Sequence, residues 1–388
     1  MPNPTNMASE LVSGPVGKIW FLASVPPPVN GQANCNAAMW ALLSGHGPFE
    51  KLSLGRSRIG KIYRSFANSW KLLRSAKHGD AAYISIPGQY GAWLLIPAIA
   101  AARARGLTIW FHHHSFRSIN RGPMQVMRFL VARAGPRQNH ILLSDSMRDR
   151  FAALYLRSGG GRAHAMSNTV LLAPDMSTEL APRSSGPPTL GHMSVLTREK
   201  GVLYLIDLFS ALSERVPGIR LVIAGPTIDP TLLAAVRTAQ ARHPDTFEYR
   251  GEVAAEEKDR FYRDVDIFVL PTTLVDEAEP LVMIEAYARG VDVFATSVGC
   301  IPDRIRDPEC ILSLDLLTDA ERLSAALREF AQNWEILRIK CKDHVVRLAQ
   351  SGERQGADVF TQIFSSVGHV GINHTTQVPV KVIKANAS

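Results

Sequence analysis

The stretch Asp266–Ser297, DIFVLPTTLVDEAEPLVMIEAYARGVDVFATS, reads as strand, loop, helix and strand in succession. Its two ends, DIFVLP and VDVFATS, are apolar and rich in β-branched residues, which is typical of buried strands. Pro280 suits a helix start, because its missing N–H costs nothing in the first turn, and Gly290 suits the helix end. The stretch therefore predicts a helix that connects two parallel strands.

Strand patterns alternate with helical stretches along the rest of the chain, which predicts an α/β fold with parallel sheets covered on both faces. Predicted strands lie near Lys18, Ala81, Leu107 and His140 in the first half, and near Thr189, Ile219, Thr246, Asp266 and Val291 in the second. Residues 172–188 are rich in Pro, Ser and Gly and read as a linker. We expect two doubly wound domains with a cleft beyond the carboxyl ends of their strands.

The bulk composition is that of a globular protein of 388 residues with 46% hydrophobic content. Its four cysteines show no CxxC pair and no metal-ligand spacing, so we expect free thiols in a reducing cytoplasm. The longest apolar run, Tyr90–Ala102, is shorter than the roughly 20 residues of a membrane span. The N-terminal residues lack the basic-then-apolar order of a signal peptide, and we expect a soluble or peripheral protein.

The net charge of +8 is concentrated in one segment, Lys51–Lys77. Up to Asp80 this region holds eight Lys or Arg residues and no acid but Asp80 itself, with apolar and aromatic residues interleaved. The pattern predicts an amphipathic helix that rests on anionic lipid or on phosphate groups, or else an ordinary solvated helix face. No nucleic-acid-binding motif accompanies the charge, and we expect no nucleic acid partner.

Two acids lie close to the predicted helix start, Glu277 in the preceding loop and Glu285 within the helix. The free N–H groups near Pro280 and Leu281 can hold an anion, while the two carboxylates can accept hydrogen bonds from sugar hydroxyls. This arrangement favours a nucleotide-sugar site. The alternative is that the acids merely stabilise the first helical turn.

Asp276–Gly290 resembles the E-x7-E motif of retaining glycosyltransferases of the GT-B fold, in particular family 4. Ala278, Glu279 and Pro280 replace the usual Gly-Phe-Gly of that motif, and the acid at 279 is unexpected. The resemblance implies that Glu285 binds the ribose and Glu277 a hydroxyl of the transferred sugar. It also implies two Rossmann-like, doubly wound domains facing each other across a cleft.

Further elements extend the resemblance to most of residues 18–366. SVLTREKGV, Ser194–Val202, resembles the family's diphosphate-binding element, which implies that Lys200 binds the donor phosphates. Val195 replaces the usual Arg, with Arg198 as its stand-in, although a solvated charge cluster would look the same. VPPPVNGQANCN, Val25–Asn36, resembles the Gly-bearing donor loop and implies that Gly31 allows close approach of the diphosphate.

Three consecutive histidines, His112–His114, end the predicted strand near Leu107. Side chains alternate across a strand, so His112 and His114 share a side, and further zinc ligands are not evident. The resemblance implies that His114 or His113 lies near the reacting sugar; a structural role is the alternative. Without a Walker A or GxGxxG motif, we expect neither ATP nor NAD, and no cofactor or metal besides a UDP- or GDP-sugar substrate.

The resemblance implies a retaining, metal-independent glycosyltransferase that acts on a glycan or lipid-linked acceptor in bacterial polysaccharide biosynthesis. It would work in the cytoplasm or peripherally at the inner membrane face. Its expected parts are an acceptor-binding domain, 1–175, a nucleotide-sugar-binding domain, 176–350, and a crossover helix with a loose tail, 351–388. A non-catalytic binding subunit and a nucleotide-sugar epimerase of the same fold are the alternatives.

Overall fold

The structure is a computed structural model that describes residues 16–27, 30–55, 57–87, 90–157, 160–171, 180 and 186–368. Most of the predicted linker, with the boundary between residues 175 and 176, lies outside the described residues. So do the N-terminal segment, Arg56 of the basic segment and nearly all of the predicted C-terminal tail.

The first sheet contains six parallel strands. They are β1 Ile19–Leu22, β2 Phe49–Leu52, β3 Ala81–Ile86, β4 Thr108–His113, β5 Gln138–Leu142 and β6 Arg162–Ala165, in the order β2-β1-β3-β4-β5-β6. The helices of this half are α1 Gly31–Ser44, α2 Arg58–Ser75, α3 Ile96–Ala104, α4 Arg117–Asn120, α5 Gln125–Ala134 and α6 Asp145–Tyr155. The four predicted strands are confirmed. β2 and β6 were missed because they are short and half-exposed, and so lack an apolar run.

The second sheet also contains six parallel strands. They are β7 Thr189–Met193, β8 Arg220–Ala224, β9 Phe247–Tyr249, β10 Ile267–Leu270, β11 Asp292–Thr296 and β12 Ile311–Leu312, in the order β12-β11-β10-β7-β8-β9. Its helices are α7 Val202–Ser213, α8 Pro230–Arg242, α9 Ala255–Asp264, α10 Leu281–Ala288 and α11 Leu316–Ser365. All five predicted strands are present, and only the two-residue β12 was not predicted.

Helix α11 connects the two halves of the molecule. It starts against the second sheet's core, breaks its regular geometry at Asn333, and ends with Phe360 and Ile363 packed into a cluster that contains residues of β1, β3 and β4. Gly352 permits this approach, since a Cβ there would lie 2.4 Å from the Thr169 hydroxyl oxygen. The last turns of α11 therefore pack against the first half of the chain.

All four cysteines are free and buried, as expected from their spacing. Cys300, in the loop after β11, is fully buried and fills the small-residue role that the sequence suggested. Among the described helices, none is both long and apolar enough to span a bilayer.

Candidate active site

The carboxyl ends of strands from both sheets meet at a solvent-open cleft of about 600 Å³. Its lining contains all the predicted site residues except Arg198, namely Gly31, His114, Lys200, Glu277, Pro280, Leu281 and Glu285. The topology brings them together because parallel strands deliver their following loops to one edge of each sheet. Residues separated by more than 250 positions in sequence thus share one cavity.

Lys200 and Glu277 form an ion pair in the cleft, with Lys200 Nζ 2.5 Å from Glu277 Oε2. The Thr272 hydroxyl donates to the same carboxylate oxygen over 3.3 Å. Lys200 ends a short 3-10 turn that Gly201 terminates with φ of 76°, and a Cβ at Gly201 would lie 2.0 Å from the Pro271 carbonyl oxygen. This glycine lets the turn pack against the chain that follows β10 and so fixes Lys200 beside Glu277.

Glu285 faces the same cleft from helix α10. Lys258 Nζ lies 3.1 Å from Glu285 Oε1, and the Tyr262 hydroxyl donates to Oε2 over 3.0 Å. Burial, assisted by the adjacent carboxylate, raises the pKa of Tyr262 well above its usual value, so the phenol stays a donor. Sequence reasoning missed Lys258, because a lysine on an acidic and basic helix such as α9 gives no local signal.

The start of α10 differs slightly from the sequence prediction. Pro280 has an extended backbone, with φ −71° and ψ 111°, and is the residue before the first helical residue, Leu281. Within the described part of the chain, no side chain caps this helix start. The first N–H groups of a helix favour an anion, and here Pro280 and Leu281 line the cleft.

Glu279, the unexpected acid of the motif, joins the two halves of the molecule. It is buried, and it accepts hydrogen bonds from the Ser167 hydroxyl over 2.7 Å and the Asn168 N–H over 2.6 Å. Arg304 Nε donates to it over 2.5 Å, and Arg304 Nη2 donates to the Leu143 carbonyl over 2.6 Å. The departure from the family pattern is thus part of an interdomain network, which the sequence did not indicate.

Asp276 makes a second connection between the halves at the rim of the cleft. Arg117 donates to both of its carboxylate oxygens, over 2.6 Å and 2.7 Å, and the Ser115 hydroxyl donates over 2.8 Å. The guanidinium lowers the pKa of Asp276, and the carboxylate stays charged. A bidentate pair of this kind fixes the angle between its partners as well as their distance.

His114 is the histidine of the run that lines the cleft. Within the described residues neither of its ring nitrogens has a hydrogen-bond partner, and burial lowers its pKa to about 3. His112 lies on the same side, with ring centroids 4.1 Å apart, as strand alternation predicted. His113 contacts His140 over 3.0 Å, and His114 rather than His113 lines the large cleft.

Gly31 lies in a helix rather than in the predicted loop. It is the first residue of α1, whose start is capped by the Asn30 side chain accepting from the Ala33 N–H over 2.9 Å. A Cβ at Gly31 would meet no atom of the described residues within 4 Å, so the glycine leaves open space at the cleft. Gly31 therefore lines the cleft as predicted, but it does so from the first turn of a helix and not from a loop.

Arg198 lies outside the cleft lining. Its guanidinium donates to Asp229, the N-cap residue of α8, over 3.2 Å, and its side chain is 57% exposed. The 3-10 turn that directs Lys200 inward directs Arg198 to the surface. Val195 stands where the family usually has an arginine, and Arg198 was expected to take over that role. In this structure Arg198 does not line the cleft, so its position does not support that expectation.

Residues 180–344 match the family model described as glycosyl transferases group 1. This range contains the whole second sheet together with Lys200, Glu277 and Glu285. The second half of the chain therefore carries the sequence pattern of that family. No curated protein matches the chain.

Solved structures of low sequence identity share the fold. Anabaena Alr3699/HepE in complex with UDP has a TM-score of 0.63 at 13% identity, over 89% of this chain and 100% of that chain. Sucrose-phosphate synthase from Thermosynechococcus elongatus has a TM-score of 0.64 at 16% identity, over 90% of this chain and 100% of that chain. A mutant of S. aureus TarM was solved with fondaparinux, alpha-GlcNAc-glycerol and UDP. It has a TM-score of 0.56 at 13% identity, over 79% of this chain and 59% of that chain. The predicted GT-B fold is confirmed.

Proposed function

We propose that this protein is a retaining glycosyltransferase of the family 4 type that uses a UDP- or GDP-sugar donor. One observation carries the proposal: a lysine and two carboxylates, Lys200, Glu277 and Glu285, converge with a helix start in the cleft between two Rossmann-like sheets. Sugar hydroxyls need acceptors and a diphosphate needs cations and N–H donors, and this cleft offers both. The HepE and TarM structures, which share the fold, were solved with UDP.

In this proposal the diphosphate lies between Lys200 and the start of α10, and Glu285 accepts from the ribose. Glu277 accepts from a hydroxyl of the transferred sugar. The acceptor hydroxyl attacks the anomeric carbon from the face of the leaving group, the bond to the β-phosphate oxygen breaks, and that oxygen takes the acceptor's proton. The protein contributes orientation and charge stabilisation, and neutral His114 can hydrogen-bond a sugar hydroxyl.

The proposed reaction needs no metal ion and no cofactor besides the donor. The one DxD sequence near the site, Asp264-Val265-Asp266, is engaged in packing: Asp264 accepts from Arg250 over 2.7 Å and Asp266 from the Thr189 N–H over 2.9 Å. Lys200 would supply the charge that a metal supplies elsewhere. Turnover should survive EDTA, and a complete loss that Mg²⁺ restores would contradict this mechanism.

For the acceptor we propose a glycan or a lipid-linked glycan, with a role in bacterial polysaccharide biosynthesis in the cytoplasm or at the inner face of the membrane. The first half of the cleft, around His114 and Gly31, is where an acceptor would meet the donor's sugar.

The deciding experiment is a thermal-shift panel of nucleotide sugars on the purified protein, followed by product analysis with the preferred donor. A true donor raises the melting temperature by binding the folded state, and release of UDP or GDP with sugar transfer establishes the enzyme. Binding without turnover would instead favour the non-catalytic subunit. An altered sugar without any acceptor, seen by NMR, would favour the epimerase. Absence of any stabilising nucleotide sugar would contradict all three.

A further inference from the structure

Helix α2 buries Leu72 but exposes its other large apolar side chains, and it buries several polar ones. The exposed set is Ile59, Ile62, Tyr63, Phe66, Trp70 and Leu73, and each of these side chains is between 43% and 81% accessible. Polar side chains face the protein instead. Ser65 donates to the Leu94 carbonyl oxygen over 2.5 Å, and Asn68 donates to the Ser53 carbonyl oxygen over 2.9 Å. Ser69 donates to the Ser65 carbonyl oxygen over 2.6 Å. The spacing of the apolar residues is that of one helix stripe, but the stripe faces outward.

The surroundings of this stripe are basic. Helix α2 contains no acidic residue, and Lys61, Arg64 and Arg74 are exposed beside the aromatic side chains. Two further exposed aromatic residues lie on neighbouring elements, Trp93 on the 3-10 turn that packs against α2 and Phe129 beside it, with rings 6.0 Å apart. Phe129 lies on α5, which likewise contains no acid. We call the exposed residues of α2, with Trp93 and Phe129, the apolar-basic face.

We infer that the apolar-basic face docks on an anionic lipid bilayer. Aromatic and aliphatic side chains enter the boundary between headgroups and acyl chains, while Lys and Arg remain with the anionic headgroups. Soluble monomers rarely leave so many large apolar side chains in water on one face. Lys71 of α2 pairs with Glu50 of β2, but the helix itself has no acid, and its remaining basic charge matches a negative surface. A second copy of this face would carry the same charge and be repelled.

Docking in this way would bring the acceptor side of the molecule to the bilayer. A small cavity of about 30 Å³ is lined by Ala92, Met124, Val126 and Met127, on or next to the elements that carry Trp93 and Phe129, and by His114, which also lines the large cleft. A lipid-linked acceptor could then reach the site from the membrane. This consequence rests on the proposed function, whereas membrane docking itself does not.

The test is co-sedimentation of the full chain with phosphatidylcholine vesicles that contain or lack phosphatidylglycerol, without any nucleotide sugar. We expect binding to the anionic vesicles only. Phe66→Ser/Trp70→Ser and Lys61→Gln/Arg64→Gln should each weaken it at least about tenfold, because one removes the inserted side chains and the other the headgroup contacts. The matched control is Ile336→Ser/Ile339→Ser on α11, where the side chains are 56% and 55% exposed, and it should bind like the wild type.

Three results would overturn the inference: no binding of the wild type to anionic vesicles, unchanged binding of the α2 variants, or equal loss in the α11 control. Light scattering, which measures the mass in solution, tests whether this face instead joins two copies of the protein. A wild-type dimer that Phe66→Ser/Trp70→Ser converts to a monomer would make this face a contact between two copies. Since the vesicles contain no donor, failure of the proposed transferase activity would leave the result of this experiment intact.

Discussion

Lys200 and Glu277 neutralise each other across the cleft, with their charged atoms 2.5 Å apart and their side chains 17% and 10% exposed. Each is a group that a bound nucleotide sugar would need, the cation for the diphosphate and the carboxylate for a hydroxyl. The pair therefore keeps both groups ordered before a donor arrives, without leaving either charge unpaired in a poorly solvated site.

Lys200→Gln should weaken UDP binding by about 10- to 100-fold, because the diphosphate loses its cationic partner. Lys200→Arg should retain part of the affinity. Titration calorimetry measures both. Arg198→Gln is the matched control, two residues away but bonded to Asp229 outside the cleft, and should bind UDP like the wild type. A larger loss in Arg198→Gln than in Lys200→Gln would reverse the assignment.

Glu277→Gln should lower kcat by about 100-fold or more while UDP affinity is kept or increased. The amide accepts a sugar hydroxyl less well than a carboxylate, and it releases Lys200 for the diphosphate. Steady-state kinetics and UDP titration together separate the two effects. Glu199→Gln, an exposed neighbour of Lys200, is the control. A parallel fall in kcat and UDP affinity would show that Glu277 serves only to hold Lys200.

Glu279→Ala should lower the free energy of unfolding by about 3 to 5 kcal/mol, since it leaves the guanidinium of Arg304 buried without its partner. The side chains are 0% and 10% exposed, so water cannot replace the lost contact. Denaturant unfolding measures the loss. Breaking the exposed Arg289–Asp259 pair with Asp259→Ala should cost less than about 1 kcal/mol, and equal losses would refute the role of the interdomain pair.

The buried histidines should make the protein sensitive to acid. His140 Nε2 contacts Gln138 Oε1 and therefore donates, so its Nδ1 accepts from His113 Nε2. Both rings are therefore neutral in this arrangement, and burial lowers the pKa of His113 to about 3. Below about pH 6.5 the unfolded chain binds a proton that the folded chain does not, and stability decreases as the pH falls.

For His113 this effect should lower the free energy of unfolding by about 2 kcal/mol between pH 7 and pH 5. In His113→Phe the loss of stability between the two pH values should be smaller by this amount, while the other buried histidines keep their share, and stability at pH 7 should be lower than in the wild type. Urea unfolding at both pH values measures it, with His78→Asn on the exposed surface as the control. An unchanged pH dependence in His113→Phe would contradict the assignment of His113 as a neutral residue hydrogen-bonded to His140.

Local pattern predicted the regular elements well where the chain is buried on both faces. All nine predicted strands are present. Eight of them are interior strands of the two sheets, where a strand is a continuous apolar run, and the ninth is the edge strand β9. The short strands β2, β6 and β12 were not predictable, since pairing with a neighbour rather than composition makes them strands. The loop position of Glu277 and the helix position of Glu285 also followed from Pro280 and Gly290.

The sequence by itself determined the α/β class, the succession of strands and helices, and most of the residue types available at the cleft. Tertiary structure decided which of them meet. It pairs Lys258 with Glu285 and Glu279 with Arg304. It also places Arg198 at the surface and the apolar stripe of α2 in solvent. Periodicity reveals that a helix has two different faces, but which face is buried depends on what the neighbouring elements offer, and that information is distributed over distant parts of the chain.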